Sequence, residues 1–182
     1  MDEVYNNSIL LIGGMAIGKS TIAKEIAKKT NLPYISTDAY KDKLLDSYKS
    51  YSFEKQLKIR EKYGYKGEKE FLLPYLLESF KELLDNLKEP SVIDIGALST
   101  FIVDEDLRNK LSNFKHVIYL YTENVDEIMN RRNIDKNSEL GVIYLETHNN
   151  LINEEISTKS INVDNKSIEE IINEITTKKT LV

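Results

Sequence analysis

Residues 8–26 read SILLIGGMAIGKSTIAKEI, an apolar run followed by a glycine-rich turn and a helical pattern. The apolar residues 9–12 predict a short buried strand. Residues 13–20 fit the pattern G-x-x-x-x-G-K-[ST], in which the glycines let successive backbone N–H groups converge on one point. Those donors, with the positive end of the following helix, form a cradle for phosphate oxygens. The stretch therefore predicts a phosphate-binding P-loop.

Two polar side chains at the end of this loop have predicted roles in nucleotide chemistry. Lys19 would reach the β- and γ-phosphates of a nucleoside triphosphate, and the Ser20 hydroxyl would bind Mg²⁺. Ile22 and Ile26 share one face of the following helix, as in a helix that packs on a sheet, which favours nucleotide binding over a turn without ligand. The predicted nucleotide-binding residues are Gly13, Gly14, Met15, Ala16, Ile17, Gly18, Lys19, Ser20 and Thr21.

Composition narrows the class of protein. The 182 residues, 41% of them hydrophobic and 30% charged, fit one globular domain with a substantial core. The absence of cysteine excludes disulfides and thiolate metal sites. No apolar run approaches the ~20 residues of a membrane span, and the N-terminus MDEVYNNS is unlike a signal peptide, so we expect a cytoplasmic protein with no membrane partner. A net charge of −5 argues against nucleic acid as a partner.

The rest of the chain alternates strand and helix patterns. Strands are predicted at 33–37, 91–96, 116–121 and 157–163, and helices at 39–51, 71–87, 104–111, 125–132, 142–151 and 167–177. A further helix from Phe53 is interrupted at Gly64 and Gly67, and the long helix 71–87 is expected to start or kink at Pro74. Alternation of this kind indicates βαβ units, a parallel sheet and a single α/β domain over residues 1–182.

Two acids lie near the carboxyl ends of predicted strands, where open α/β sheets bind their ligands. Asp38 follows the second strand and is predicted to orient or deprotonate an acceptor hydroxyl; the alternative is a helix N-cap. Asp94 lies near the end of the third strand and is predicted to hold a metal; the alternative is a capping or turn acid.

The order of these elements resembles that of small P-loop kinases, above all shikimate kinases, with gluconate and nucleoside-monophosphate kinases nearby. The residues that carry the resemblance are the P-loop, the strand end Ser36-Thr37-Asp38 and the strand end Asp94-Ile95-Gly96. The resemblance implies a three-layer P-loop NTPase fold with a five-stranded parallel sheet in the order 2-3-1-4-5. It also implies an acceptor-binding helical region at about 39–89 and a lid at about 133–145.

The same resemblance implies ATP and Mg²⁺ as cofactors. Lys19 and Asp38 would act on the transferred phosphate and the acceptor, while Ser20 and Asp94 would bind the metal. Arg131 and Arg132 end the helix before the lid, where an arginine of this class stacks on adenine or reaches the phosphate. Their alternative role is to complement the helix dipole.

Several positions depart from the shikimate kinase pattern. The family's Asp-x-Asp after strand two has Ser36 in its first place, and Asp94 is the acid that would compensate. The family's Gly-Gly-Gly is Gly96-Ala97-Leu98 here. The family's carboxylate-binding arginines have no match near Phe71, in the lid or near His148, so we expect a different acceptor.

The resulting expectation is an ATP-dependent kinase that phosphorylates a hydroxyl of an unidentified small molecule, acting as a monomer or homodimer. The alternatives are a nucleoside or nucleotide kinase, a toxin-like kinase of sugar nucleotides, and a nucleotide-binding regulatory ATPase that is not a kinase. His148 is interpreted as part of a solvent-facing polar stretch and Arg60 as a surface residue, and the eleven tyrosines indicate no aromatic platform.

Overall fold

The centre of the molecule is a sheet of five parallel strands. They are β1 (Ile9–Gly13), β2 (Tyr34–Ser36), β3 (Val92–Asp94), β4 (His116–Tyr121) and β5 (Lys159–Asn162). The sheet order is β2-β3-β1-β4-β5, so the predicted α/β fold and strand order are confirmed. The computed structural model describes residues 2–45, 47–48, 51–96, 104–149 and 151–177.

Helices cover this sheet on both faces. They are α1 (Asp2–Asn7), α2 (Lys19–Thr30), α3 (Thr37–Leu45), α4 (Phe53–Asp85), α5 (Glu105–Leu111), α6 (Val125–Arg131), α7 (Glu139–His148), α8 (Leu151–Ile156) and α9 (Ile168–Thr176). The sequence does not predict α1 and α8, because six residues are too few to establish a helical period. Among the described residues, every helix is too short or too polar to cross a membrane.

The central strand β1 separates two apolar cores. Leu10 and Ile12 pack with Phe80 of α4 on one side, while Ile9 and Leu11 pack with Ile26 of α2 on the other. Successive side chains of a strand point to opposite faces, so a strand buried on both faces must be apolar throughout. All five residues of β1 are buried, as the uninterrupted apolar run predicts.

The strand register brings the functional segments to one edge of the sheet. Asp94 at the end of β3 pairs with Leu11 of β1 and with Ser36 of β2. Gly13 at the end of β1 pairs with Leu120 of β4. The P-loop and the residues that follow β2 and β3 therefore meet at the carboxyl ends of the strands.

The long helix α4 differs from its prediction. Its 33 residues form two helical segments joined by a kink at Gly64, which alone among them has non-helical angles, at φ 66° and ψ −164°. The predicted interruption at Gly64 is therefore confirmed, whereas the second segment passes through Gly67 and Pro74 without one. Expecting a kink or a start at Pro74 was wrong. A positive φ favours glycine, and the carboxylate of Glu139 fills the place that a Cβ of residue 64 would take.

The predicted lid segment, about 133–145, combines a turn with a helix. The turn ends at Ser138, whose side chain accepts a hydrogen bond from the N–H of Gly141 and caps α7. Helix α7 therefore begins three residues before the predicted start at 142. The assignment of this segment as a lid, and of 39–89 as the acceptor region, stays a prediction.

Candidate active site

The P-loop is tightly curled between β1 and α2. Gly13, Ala16 and Gly18 have positive φ angles of 148°, 59° and 96°. A Cβ on Gly13 would also overlap the carbonyl oxygen of Leu120, so only glycine meets both demands there. Helix α2 begins directly at Lys19, and the first N–H groups of a helix have no intrahelical partner. The loop and the helix start together form an anion-binding concavity.

Lys19 lies folded over this loop. Its ammonium donates hydrogen bonds to the carbonyl oxygens of Gly13, at 2.9 Å, and Gly14, at 2.8 Å, and the residue is only 8% exposed. Burial lowers the pKa of Lys19, and attraction by the carboxylates of Asp94 and Asp38 opposes that shift. A phosphate group in the concavity would supply the negative charge that a buried ammonium lacks.

The predicted metal ligands lie side by side, although they are 74 residues apart in sequence. The Ser20 hydroxyl donates to Oδ2 of Asp94 at 2.5 Å, and the Tyr34 hydroxyl donates to the same oxygen at 3.3 Å. Asp94 is 3% exposed, and its Oδ1 has no hydrogen-bond partner among the described residues. A buried carboxylate oxygen is costly without a partner, and Mg²⁺ prefers oxygen ligands. These two side chains therefore fit a magnesium site.

Asp38 lies in the first turn of α3, opposite the end of β3. The Ser36 hydroxyl accepts a hydrogen bond from the N–H of Ala39 at 3.4 Å, so Ser36, and not Asp38, lies at the N-cap. Thr37 Oγ1 accepts from the N–H of Gly96 at 3.0 Å and ties the ends of β2 and β3 together. The Asp38 carboxylate lies against Gly96, where a Cβ would overlap it.

The environment of Asp38 changes its acidity. The residue as a whole is exposed, yet the protein atoms packed against its carboxylate remove part of its hydration. This desolvation raises the pKa of Asp38, while the positive charge of Lys41 opposes the shift. The negative charge of Asp94 adds to the increase in the pKa. Such a carboxylate is a better proton acceptor than one in water.

A cavity of about 440 Å³ adjoins the outer side of the P-loop. Ala16 and Thr21 line it from the loop side, and Thr122, Asp164 and Arg131 line it from the segments after β4, after β5 and from α6. The Arg131 guanidinium is exposed and forms an ion pair with Glu127, with Nη2 and Oε1 3.1 Å apart. Arg132 is exposed and is not among the lining residues of this cavity.

The interpretation of His148 as a solvent-facing residue is wrong. His148 is 7% exposed and Thr147 is 3% exposed, and both contact the P-loop. The C-terminal turn of α7 packs on the loop because Gly14 leaves room for the imidazole. One indication in the sequence that a side chain packs on the loop here is Gly14, a glycine at a position where the P-loop pattern accepts any residue.

The acceptor region contains contacts that the sequence does not reveal. The Arg60 guanidinium lies 4.0 Å over the ring of Tyr65, and its Nε is 3.5 Å from Oε2 of the buried Glu68. Arg60 is therefore engaged with two neighbours and is not a simple surface residue. Four rings also form a cluster with neighbouring centroids 5.4–6.4 Å apart, namely Tyr48, Tyr51, Phe71 and Tyr75. Ala97 and Leu98, which replace family glycines, lie outside the described residues.

A P-loop between the first strand and its helix, with acids after strands two and three of a 2-3-1-4-5 sheet, defines the class of small P-loop kinases. The family model for shikimate kinase matches residues 15–180. The chain therefore belongs to the shikimate kinase family, and this membership supports an ATP-dependent kinase as the class of activity.

Individual relatives agree with this assignment. The chain is 32% identical to shikimate kinase of Enterococcus faecalis over 180 residues, covering 92% of this chain and 95% of that protein. It is 29% identical to shikimate kinase of Alkaliphilus oremlandii over 187 residues, covering 92% of this chain and 96% of that protein.

Solved structures share the fold at lower identity. Shikimate kinase from Acinetobacter baumannii in complex with shikimate has a TM-score of 0.67 at 19% identity, covering 94% of this chain and 92% of that one. A gluconokinase from Sinorhizobium meliloti has a TM-score of 0.55 at 21% identity, covering 93% and 89%. At these identities the similarity establishes the fold alone.

Proposed function

We propose that the protein transfers the γ-phosphate of ATP to a hydroxyl of a small molecule other than shikimate, with Mg²⁺ as cofactor. The observation that carries this proposal is one cluster built from three segments that are distant in sequence, the P-loop with the start of α2, the end of β3 and the start of α3. Ser20 is hydrogen-bonded to Asp94 at the end of β3, and the charges of Asp94 and Asp38 both act on Lys19. Phosphoryl transfer requires mainly such positioning and neutralisation of charge.

The nucleotide would bind with its phosphates in the P-loop. Lys19 would exchange the carbonyl oxygens of Gly13 and Gly14 for phosphate oxygens, which are stronger acceptors because they are charged. The cavity of about 440 Å³ beside the loop leaves space for the nucleoside. Of the two predicted arginines we assign this role to Arg131, because Arg131 lines the cavity and Arg132 does not.

Ser20 and Asp94 would hold Mg²⁺. When bound there, the ion would neutralise charge on the β- and γ-phosphates. Oδ1 of Asp94 has no hydrogen-bond partner within the described part of the chain, which supports this assignment over Ser36, whose hydroxyl already accepts a hydrogen bond at the start of α3.

Asp38 would serve the acceptor. The acceptor oxygen forms a bond to the γ-phosphorus as the bond from that phosphorus to the bridging oxygen of ADP breaks, and the hydroxyl proton passes to the Asp38 carboxylate. The raised pKa of Asp38 supports this role, since a general base works best when its pKa approaches the working pH.

Two features of the predicted acceptor region bear on whether shikimate is the acceptor. The name of the Enterococcus faecalis relative makes shikimate the first compound to test. Against shikimate, Arg60 is the single arginine in the sequence between 39 and 89, and it is engaged by Glu68 and Tyr65. The positive charge that acts on Asp38 from its own helix is Lys41, whose ammonium is a point charge without the planar fork that binds a carboxylate bidentately.

A coupled assay of ADP release tests the proposal with shikimate, gluconate, nucleoside monophosphates and a wider metabolite panel. We expect turnover to rise strongly with one hydroxyl compound and little with shikimate. Lys19→Ala should lose that stimulation, whereas Lys28→Ala, an exposed lysine of the same helix, should keep it. Full turnover with shikimate would refute the acceptor assignment, and stimulation by a protein alone would refute the kinase in favour of a regulatory ATPase.

A further inference from the structure

Two consecutive residues at the end of α7 bind both backbone groups of Met15 in the P-loop. The N–H of Met15 donates to Thr147 Oγ1 at 3.1 Å, and the carbonyl oxygen of Met15 accepts from His148 Nε2 at 2.9 Å. The partners are separated by more than 130 residues of sequence. We name this contact, in which Thr147 and His148 hold Gly14 and Met15, the α7 clamp.

The clamp also depends on Gly14. The imidazole of His148 occupies the place where a side chain at position 14 would begin, and any Cβ there would overlap the ring. The φ of Gly14 is not in the positive range that favours glycine. Space for His148 is therefore the reason why glycine stands at this position.

Thr147 and His148 are themselves held from the core. The Thr147 hydroxyl donates to the carbonyl oxygen of Tyr144 at 2.8 Å, which leaves its lone pairs to Met15. The carbonyl oxygen of His148 accepts from the hydroxyl of Tyr119 on β4 at 3.2 Å. A carbonyl can only accept, so Nε2 of His148 must carry a proton. Burial lowers the pKa of His148, which favours the neutral ring with its proton on Nε2.

We propose that Thr147 and His148 are positioning residues that preorganise the phosphate cradle, so that nucleotide affinity depends on the end of α7. The proposal rests on the function above in taking the P-loop as the nucleotide site. The P-loop has three positive φ angles, and without the clamp the nucleotide would have to order it on binding, at a cost in conformational entropy. A loop that is already held in its binding conformation avoids this entropy cost, so the nucleotide binds more tightly. Because α7 also begins inside the predicted lid, one helix connects the lid to the cradle.

The test is the affinity of the full chain for MgADP, measured by calorimetry. Thr147→Val and His148→Leu should each weaken binding about tenfold, since each leaves a buried backbone group of Met15 unpaired. His148→Gln should recover most of the loss, because its amide can donate in place of Nε2. Gly14→Ala should also weaken binding by displacing His148, without changing Lys19 or Ser20.

The chain offers matched controls at the opposite edge of the sheet. His116 is the other histidine, also buried, and Thr158 contacts both backbone groups of Val117, at 3.0 Å and 3.2 Å. His116→Leu and Thr158→Val should keep their MgADP affinity, even if they lower the melting temperature as much as Thr147→Val and His148→Leu do. Unchanged affinity in Thr147→Val and His148→Leu, or no recovery in His148→Gln, would overturn the proposal. If Lys19→Ala still binds MgADP normally, the proposed function fails instead.

Discussion

The phosphate cradle and the acceptor region are held in different ways. Lys19, Asp94 and His148 are all buried. Lys19 is hydrogen-bonded to the loop within which it lies, while Asp94 and His148 bind Ser20 and Met15 from distant parts of the chain. The predicted acceptor region has contacts within α4, such as that of Gln56 with Glu68 at 2.6 Å, and contacts with α7 through Glu139, and Phe53 at the start of α4 is 63% exposed. The comparison indicates that the P-loop site is fixed by buried side chains, whereas the predicted acceptor region includes more exposed ones.

The largest effect is expected at Lys19. Lys19→Ala should lower kinase turnover at least about 100-fold, because it removes the main cation from the phosphate site. The pKa of Lys19 is lowered in the folded protein, so its charged form costs stability below the folded pKa, and that cost is relieved as the pH rises from the folded pKa to the higher unfolded pKa. The melting temperature of Lys19→Ala at pH 7 should therefore not fall. Loss of the fold in the variant would show that the cradle needs Lys19 as a structural residue.

Substitution of Asp38 should lower kcat about as much as substitution of Lys19, without weakening the binding of ATP. Asp38→Asn should reduce kcat about 100-fold and leave the KM for ATP nearly unchanged, because the proposed role of the carboxylate is to accept the proton of the acceptor hydroxyl. Turnover of the unchanged enzyme should fall as the pH drops through the raised pKa of Asp38, and this limb should vanish in the variant. Asp42→Asn, an exposed neighbour paired with Lys41, is the matched control. Intact kcat in Asp38→Asn would remove Asp38 from the mechanism.

Stability gives a second measurement on Asp38. A carboxylate whose pKa is raised by folding contributes most stability below its unfolded pKa, and this contribution is lost as the pH rises through the folded value. At pH 7 the ionised group is therefore unfavourable, and Asp38→Asn should leave the melting temperature equal or higher. A clear decrease would mean that the carboxylate makes a stabilising contact in the folded state.

The smallest effect is expected in the acceptor region. Arg60→Ala should cost about 0.5–1 kcal/mol of stability, the range for a partly exposed ion pair and a cation–π contact. The KM for ATP should not change, because Arg60 is engaged with Glu68 and Tyr65. A large increase in the KM for the acceptor would show that Arg60 leaves these partners to bind it, and the contrast between the two regions would weaken.

The sequence predicted most of the fold and the cradle for identifiable reasons. The motif from Gly13 to Ser20 requires particular residue types at fixed spacing, and strand ends such as Asp94 converge once the sheet order is known. The α7 clamp could not be predicted, because nothing local in the Thr147-His148 pair indicates which distant backbone it binds. The interruption at Gly64 was predicted from the glycine, but its contact with Glu139 of α7 was not, because periodicity does not report contacts between distant helices.

The decisive experiment is a crystal structure with Mg²⁺ and a non-hydrolysable ATP analogue. We expect the phosphates within residues 13–20, the Lys19 ammonium moved from the carbonyl oxygens of Gly13 and Gly14 to phosphate oxygens, and the metal at Ser20 and Asp94. A triphosphate bound elsewhere, with Lys19 still on those carbonyl oxygens, would contradict the proposed nucleotide site.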